Sequence, residues 1–282
     1  TPQDPSAKWT DSLVDQRVLA TLATLMSDGH FGPLERWGDT TLGLVTGNNK
    51  YFAISPQRAK ELGLDESELL QLSPPGSAHL RGLSLTKRLM ESLGRNGLST
   101  MLFYPRTKPS ASASAYIDAG HRTGVDTAYK CRIRKTWYRV PLVAPADLLL
   151  TCMNADTPRL VSNEAGAYHL NSVHGVYIND QDREIACELL PLASLNSVTL
   201  MHAEVVGRAY GGGILKLEPR EADRWAVPSI RLVRARATEL RAVKEQVAEY
   251  LKLGDLMEAV ALVDRVLLSK TLRLSKERID QI

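Results

Sequence analysis

Three cysteines, Cys131, Cys152 and Cys187, are too few and too scattered for a disulfide framework, and their odd number argues against one. No pair among them or the six histidines has zinc-ligand spacing, so no metal site is expected. The compartment is therefore expected to be reducing. No apolar run is long enough to span a bilayer, and no secretory signal is present. A cytoplasmic location with no membrane partner is the expectation. Thr1 stands where a start methionine would, so a fragment or a processed chain is expected. Excess charge is also missing. The formal net charge is only +3, so any nucleic-acid binding must rest on a local concentration of cations. Catalytic signatures are lacking too. No nucleophile has a convincing base, and no two carboxylates form a supported pair. The turn Thr46-Gly47-Asn48-Asn49-Lys50 lacks the further glycines and the hydroxyl residue of a phosphate loop. No strand, glycine-rich loop and later acidic residue mark a methyl-donor or dinucleotide fold.

What is present is enough apolar sequence, 44% of residues, for one substantial core or two modest ones. There is also one concentrated basic and aromatic stretch, Ala128 to Pro141. Its cations alternate with apolar residues, which predicts a strand with Lys130, Arg132 and Arg134 on one face and Cys131, Ile133 and Lys135 on the other. Trp137 and Tyr138 follow, suited to supporting that strand or to packing on a ligand. The stretch reads as a solvated edge strand, a nucleic-acid face or a site for another anion.

Around it, the class expected is mixed α/β (α+β), strand-rich with short helices. Val18 to Leu22 fits a strand or a helix end. The 46–50 turn leads into a strand, with Lys50 placed to reach a phosphate. Ser55-Pro56 begins a helix that Gly63 stops, and a second short helix is expected at 66–70. Met101 to Tyr104, Asp147 to Thr151 and Arg159 to Asn163 read as buried strands, and His169 to Ile178 alternates as another. In it, His169 and His174 point to opposite faces. Asn171 is suited either to a base edge or to holding a strand end. His121 reads as a surface residue. A helix is expected over 191–206, with Asn196 a buried polar group satisfied locally. Gly211, Gly212 and Gly213, bracketed by Arg208 and Lys216, fit either an approach to a phosphate backbone or a packing corner. Glu218-Pro219 starts a short helix. Leu240, Val243, Val247 and Leu251 form the stripe of a helix, with Arg241 and Glu245 spaced to pair. Gly254-Asp255 breaks it, and a second helix carries Leu256, Val260, Val263 and Leu267. Residues 270–282 read as mostly solvated. The expected division is 1–236, with room for two subdomains, and a helical hairpin over 237–282.

Six segments in order resemble a known family. They are VTGNNKYF from Val45, YKCRIRKTWYRVP from Tyr129, PRLVSN from Pro158, HLNSVHGV from His169, LNS from Leu195 and RAYGGGILKLEP from Arg208. Together they resemble the C-terminal target-recognition region of bacterial restriction–modification N6-adenine DNA methyltransferases, including relatives that fuse methylase and nuclease. The resemblance implies a module that reads double-stranded DNA beside a methyltransferase domain, N-terminal or on a partner chain. That domain would use S-adenosylmethionine and carry an Asn-Pro-Pro-Tyr-like motif. This sequence has neither that motif nor the donor loop, so no cofactor and no catalytic residue is expected within it. Lys50, Lys130, Arg132, Arg134, Lys135, Trp137, Tyr138, Arg208 and Lys216 become candidate DNA contacts. Asn48, Asn49, Asn171 and Gly211 to Gly213 are candidates for support or base contact. Two other classes stay open, a nuclease-like enzyme with an unrecognised site and a protein-interaction scaffold docking through its terminal helices.

Overall fold

A computed structural model describes residues 16–269 together with Leu272, Leu274 and Ile279. The solvated reading of 270–282 thus falls largely outside the described residues. The fold is mixed α/β, as expected. Helix α1 (Gln16–Ser27) settles the ambiguity at 18–22, because Val18, Leu22 and Leu25 fall on one buried face. Strands β1 (Phe31–Pro33) and β2 (Gly38–Leu42) follow. At the 46–50 turn, Asn48 caps a one-turn helix, α2 (Asn49–Phe52), before the short strand β3 (Ala53–Ile54). Lys50 is therefore in a helical turn, and the expected strand is confined to Ala53–Ile54. Ser55 caps α3 (Pro56–Glu61), with Pro56 at its first position. Residues Glu66–Glu68 form a single 3₁₀ turn and then enter β4 (Leu69–Gln71), so the second short helix stops early.

Helix α4 (Lys87–Arg95), strand β5 (Met101–Phe103) and helix α5 (Ala111–Arg122) come next. The largest departure from expectation is at the basic stretch. It is a one-turn helix, α6 (Tyr129–Arg132), followed by turns, not a strand. Alternation here marks which residues turn inward around a helical turn. Buried Cys131 anchors it, and no neighbouring strand pairs with it.

Strands β6 (Leu148–Thr151), β7 (Met153–Asn154), β8 (Leu160–Ser162) and β9 (Val173–Ile178) precede two helices. These are α7 (Arg183–Ala193) and α8 (Ser197–Val206), where one helix was expected over 191–206. The break falls at Asn196, whose Oδ1 accepts the Thr199 N–H at 3.0 Å and whose amide donates to Ala193 O at 2.7 Å. A buried asparagine that caps a helix satisfies itself, as expected, and by doing so starts a new helix. Strands β10 (Arg208–Tyr210) and β11 (Ile214–Lys216) form the glycine hairpin. Helix α9 (Pro219–Asp223) has a capping box between Glu218 and Glu221. Strand β12 (Ala226–Pro228) and helices α10 (Ile230–Ala235), α11 (Ala237–Leu253) and α12 (Leu256–Asp264) complete the described chain, the last running into a π-helical turn at Arg265–Ser269.

The central sheet is antiparallel in the order β2-β9-β6-β8 and is buried on both faces. Period-two alternation sends Leu148 and Leu150 to one face and Leu149 to the other. The first face packs against α7, α8, α11 and α12 in the main core; the second meets Leu80, Leu85 and Met90. Leu240, Val247 and Leu251 of α11 join the main core, each burial contributing roughly 1.5–3 kcal/mol. The terminal helices thus pack on the body. Arg241 reaches across to Glu188 with contacts of 2.7 and 2.6 Å, not along its own helix to Glu245. A separate cluster is built on the sheet β3-β5-β4, α5 and the turns up to Val140. No single helix among the described residues is long and apolar enough to cross a bilayer.

Candidate nucleic-acid interface

The basic turn rests on an aromatic cluster as its floor. Tyr51 and Tyr116 stack with centroids 4.5 Å apart, and each hydroxyl donates to the other residue's carbonyl. Trp137 lies 5.5 Å from Tyr51 and 5.7 Å from Tyr138. A side chain at Gly120 would sit 2.7 Å from both the Trp137 and Tyr51 rings, so the ring packing is close. Trp137 and Tyr138 support the basic turn and are half-buried in doing so.

On this floor the 43–50 segment meets the 130–139 turn. Gly47 has φ +89°, and a Cβ there would contact Cys131 Sγ and Lys130 Cβ at 3.0 Å. The Cys131 thiol donates to Thr46 O at 3.5 Å, and burial pushes its pKa up, which keeps the proton on sulfur. Arg134 forms the second clasp, donating to Val45 O at 2.6 Å and to Trp137 O at 3.3 Å. Its guanidinium lies 5.8 Å from the centre of the Phe52 ring. Arg134 therefore holds the two segments together and does not share an outward face with Lys130 and Arg132. Arg139 donates to Pro105 O and covers the Tyr104 ring at 4.3 Å.

Between these segments runs a cleft of about 740 Å³, lined by Gly43 to Val45, Lys130, Ile133 to Thr136, Arg139, Pro141 and Val143. Lys50, Lys130, Arg132 and Lys135 are exposed and have no carboxylate partner among the described residues. The nearest acidic group in the turn, Asp126, already meets His121 Nδ1 at 2.6 Å. Asn49 is exposed beside Lys50, and its Oδ1 accepts from the Thr46 hydroxyl at 2.5 Å. Asn48 caps α2 through its side chain. Asn171, also exposed, donates its backbone N–H to Leu44 O at 3.0 Å, next to the wall of the cleft. Behind that wall, His169 is buried between Gly43 and Gly175, close enough that a Cβ on either would lie 2.7 Å from the ring. Burial holds its pKa down to about 4, so the ring is neutral.

The glycine hairpin lies elsewhere, in the sheet β10-β11-β7 against the main core. Gly212 and Gly213 take φ +79° and +75° at its open tip, next to Gly211. The flanking cations are paired, Arg208 with Glu221 and Lys216 with Glu218, both at 2.6 Å. Those carboxylates hold both cations' pKa values up. The structure thus brings Asn48, Asn49, Lys50, Lys130, Arg132, Arg134, Lys135, Trp137, Tyr138 and Asn171 together and places Arg208, Lys216 and the glycines apart. Sequence reading missed Arg139 and the Gly43 to Val45 wall. Arg139 was signalled, since it continues the same basic run. The wall was not, because its role comes from lying beside residues 85 or more positions away.

Comparison with known proteins shows the family. Residues 6–268 match the family model described as the C-terminal domain of Type II methyltransferase M.Eco57I. Type II methyltransferase M.AccI of Acinetobacter calcoaceticus is 27% identical over 245 residues, which is 84% of this chain and 44% of that protein. M.XamI of Xanthomonas campestris pv. amaranthicola, also a Type II methyltransferase, is 29% identical over 203 residues, 68% of this chain and 35% of the relative. The chain thus spans less than half the length of these curated relatives. With a match over nearly all its length, this chain belongs to the family of C-terminal domains represented by that of the Type II methyltransferase M.Eco57I.

Proposed function

We propose that this chain is the double-stranded DNA recognition region of an adenine-N6 DNA methyltransferase of a restriction–modification system. It would hold the duplex so that the target adenine reaches a catalytic part lying outside these 282 residues. The observation that carries this reading is the cleft lined by Lys130 and Lys135, which with Lys50 and Arg132 of the same two segments are four exposed cations without carboxylate partners among the described residues. Cations free of internal ion pairs are those able to release counterions from phosphates. Arg134 and the aromatic floor hold them in place, which lowers the ordering cost of binding.

S-adenosylmethionine belongs, in this reading, to the catalytic part. The described residues do not fit it. Every pairing between the named strands is antiparallel, the parallel contacts being isolated bridges, and none forms the strand, glycine loop and helix of a parallel donor-binding sheet. What this chain's residues do is bind and orient. Lys and Arg side chains would fix register on the phosphates, while Asn49 and Asn171, both exposed, would meet base edges.

The test is anisotropy binding of the chain to a randomised duplex pool at two salt concentrations, with sequencing of the retained DNA. Enrichment of one short adenine-containing motif is the expected result. Absence of salt-sensitive binding by a folded sample overturns the reading.

A further inference from the structure

Nine large hydrophobic side chains are exposed among the described residues; two of them, Ile133 and Val143, line the basic cleft, and two more, Leu42 and Tyr129, directly precede the lining residues Gly43 and Lys130. A surface built only to clamp phosphates has no use for them, because phosphate contacts are polar and charged. Ile133 is the most telling. Its side chain is 58% exposed, it lines the cleft, and its chain neighbours Arg132 and, two residues on, Lys135 are exposed cations. A β-branched apolar residue is a poor choice for a solvated turn. The backbone beneath it is also fixed. The Ile133 N–H is bonded to Tyr129 O at 3.3 Å, Cys131 is fully buried two residues before it, and Arg134 is clasped to Val45 O and Trp137 O directly after it. The turn therefore offers an apolar side chain on a rigid base, in a cleft it shares with Lys130 and Lys135.

We infer that Ile133 is a wedge that enters the base stack of the bound duplex while the surrounding cations hold the phosphates, so that this cleft binds locally unstacked DNA in preference to an undisturbed helix. The inference rests on the DNA-binding reading proposed above. The chemistry is that of apolar side chains at kinked or opened base steps. Phosphate contacts supply affinity, and the apolar group gains contact with base faces once stacking is broken. A duplex whose stack is already interrupted has met that cost beforehand and binds more tightly.

The experiment compares the affinity of the chain for a 24-base-pair duplex with that for the same duplex carrying one central abasic site, by anisotropy at two salt concentrations. The wild-type chain is expected to favour the abasic duplex by about tenfold. Ile133→Ser, at an exposed position, should melt as wild type does and lose the preference to below about twofold. Ile133→Phe should keep it. Lys135→Ala should weaken both duplexes equally and leave their ratio unchanged. Equal wild-type affinity for the two duplexes, with normal salt dependence, overturns the wedge and leaves DNA recognition standing. A preference that survives in Ile133→Ser overturns it as well. No salt-dependent binding to either duplex overturns the DNA reading and the wedge together.

Discussion

Arg134 separates the folded geometry from a count of charges. In sequence it is one of five basic residues between Lys130 and Arg139. In the structure its guanidinium is spent on Val45 O at 2.6 Å and Trp137 O at 3.3 Å, over the Phe52 ring. Replacing it with alanine removes two charge-assisted hydrogen bonds, takes the donor from two carbonyls on half-buried residues, and loosens the join between the 43–50 segment and the basic turn. Hydrogen bonds to charged groups contribute about 1.5–3 kcal/mol each, and the 3.3 Å bond lies at the weak end, so a loss of about 2–4 kcal/mol is expected. For a chain of this size that lowers Tm by roughly 3–7 °C. Arg134→Lys should recover only part of it, since an ammonium cannot reproduce the forked geometry. Lys135→Ala, at an exposed position, should move stability by less than about 0.5 kcal/mol and reduce the slope of log K against log salt by about 0.9. Scanning calorimetry and salt-dependent anisotropy on the three variants provide the check. If Arg134→Ala melts like wild type but loses about one unit of salt slope, Arg134 is a phosphate ligand and the clasp is wrong.

Three further outcomes follow from the same geometry. Asp264 accepts from Ser197 N and Oγ, yet burial pushes its pKa from 3.8 up to about 6. A folded pKa above the unfolded one means that its contribution is complete below about pH 4 and lost as pH rises through about 6, up to about 3 kcal/mol. Urea midpoints at pH 4.5 and 7.5 should show Asp264→Asn flattening this dependence. Gly43→Ala places a Cβ 2.4 Å from Leu170 O and 2.7 Å from the His169 ring, so a loss of at least about 3 kcal/mol is expected in chemical denaturation, through backbone displacement at the wall of the cleft. Arg208→Ala and Lys216→Ala should each change the salt slope by less than about half a unit, because their charges are already met by Glu221 and Glu218; a full-unit change in either would place the glycine hairpin on the phosphates.

Local rules were legible in the chain wherever the controlling partner lies within a few residues. Ser55-Pro56, Glu218-Pro219 and Gly254 start or end helices as expected, because capping is settled within one turn. The buried strands at 101–103, 148–151 and 160–162 were readable because a strand covered on both faces must be apolar almost throughout. The stripe on α11 named the residues that enter the main core, although Arg241 found Glu188 on α7 instead of Glu245, since tertiary neighbours compete with helical ones.

The candidate interface depended on contacts the sequence does not display. Alternation from Lys130 to Lys135 is the same string whether the backbone is a strand or a helical turn. Burial of Cys131 against Thr46 and the reach of Arg134 to Val45 decided for the turn, across 85 and 89 positions. By itself the sequence determined that the charge is local, which family the chain resembles, and where most elements begin, all of which depend on composition, motif order and neighbours in the chain. Only the tertiary structure decided which cations are free. Freedom of a charge depends on the nearest carboxylate or carbonyl in space, and Lys130 and Lys135 keep theirs while Arg134, Arg208 and Lys216 do not.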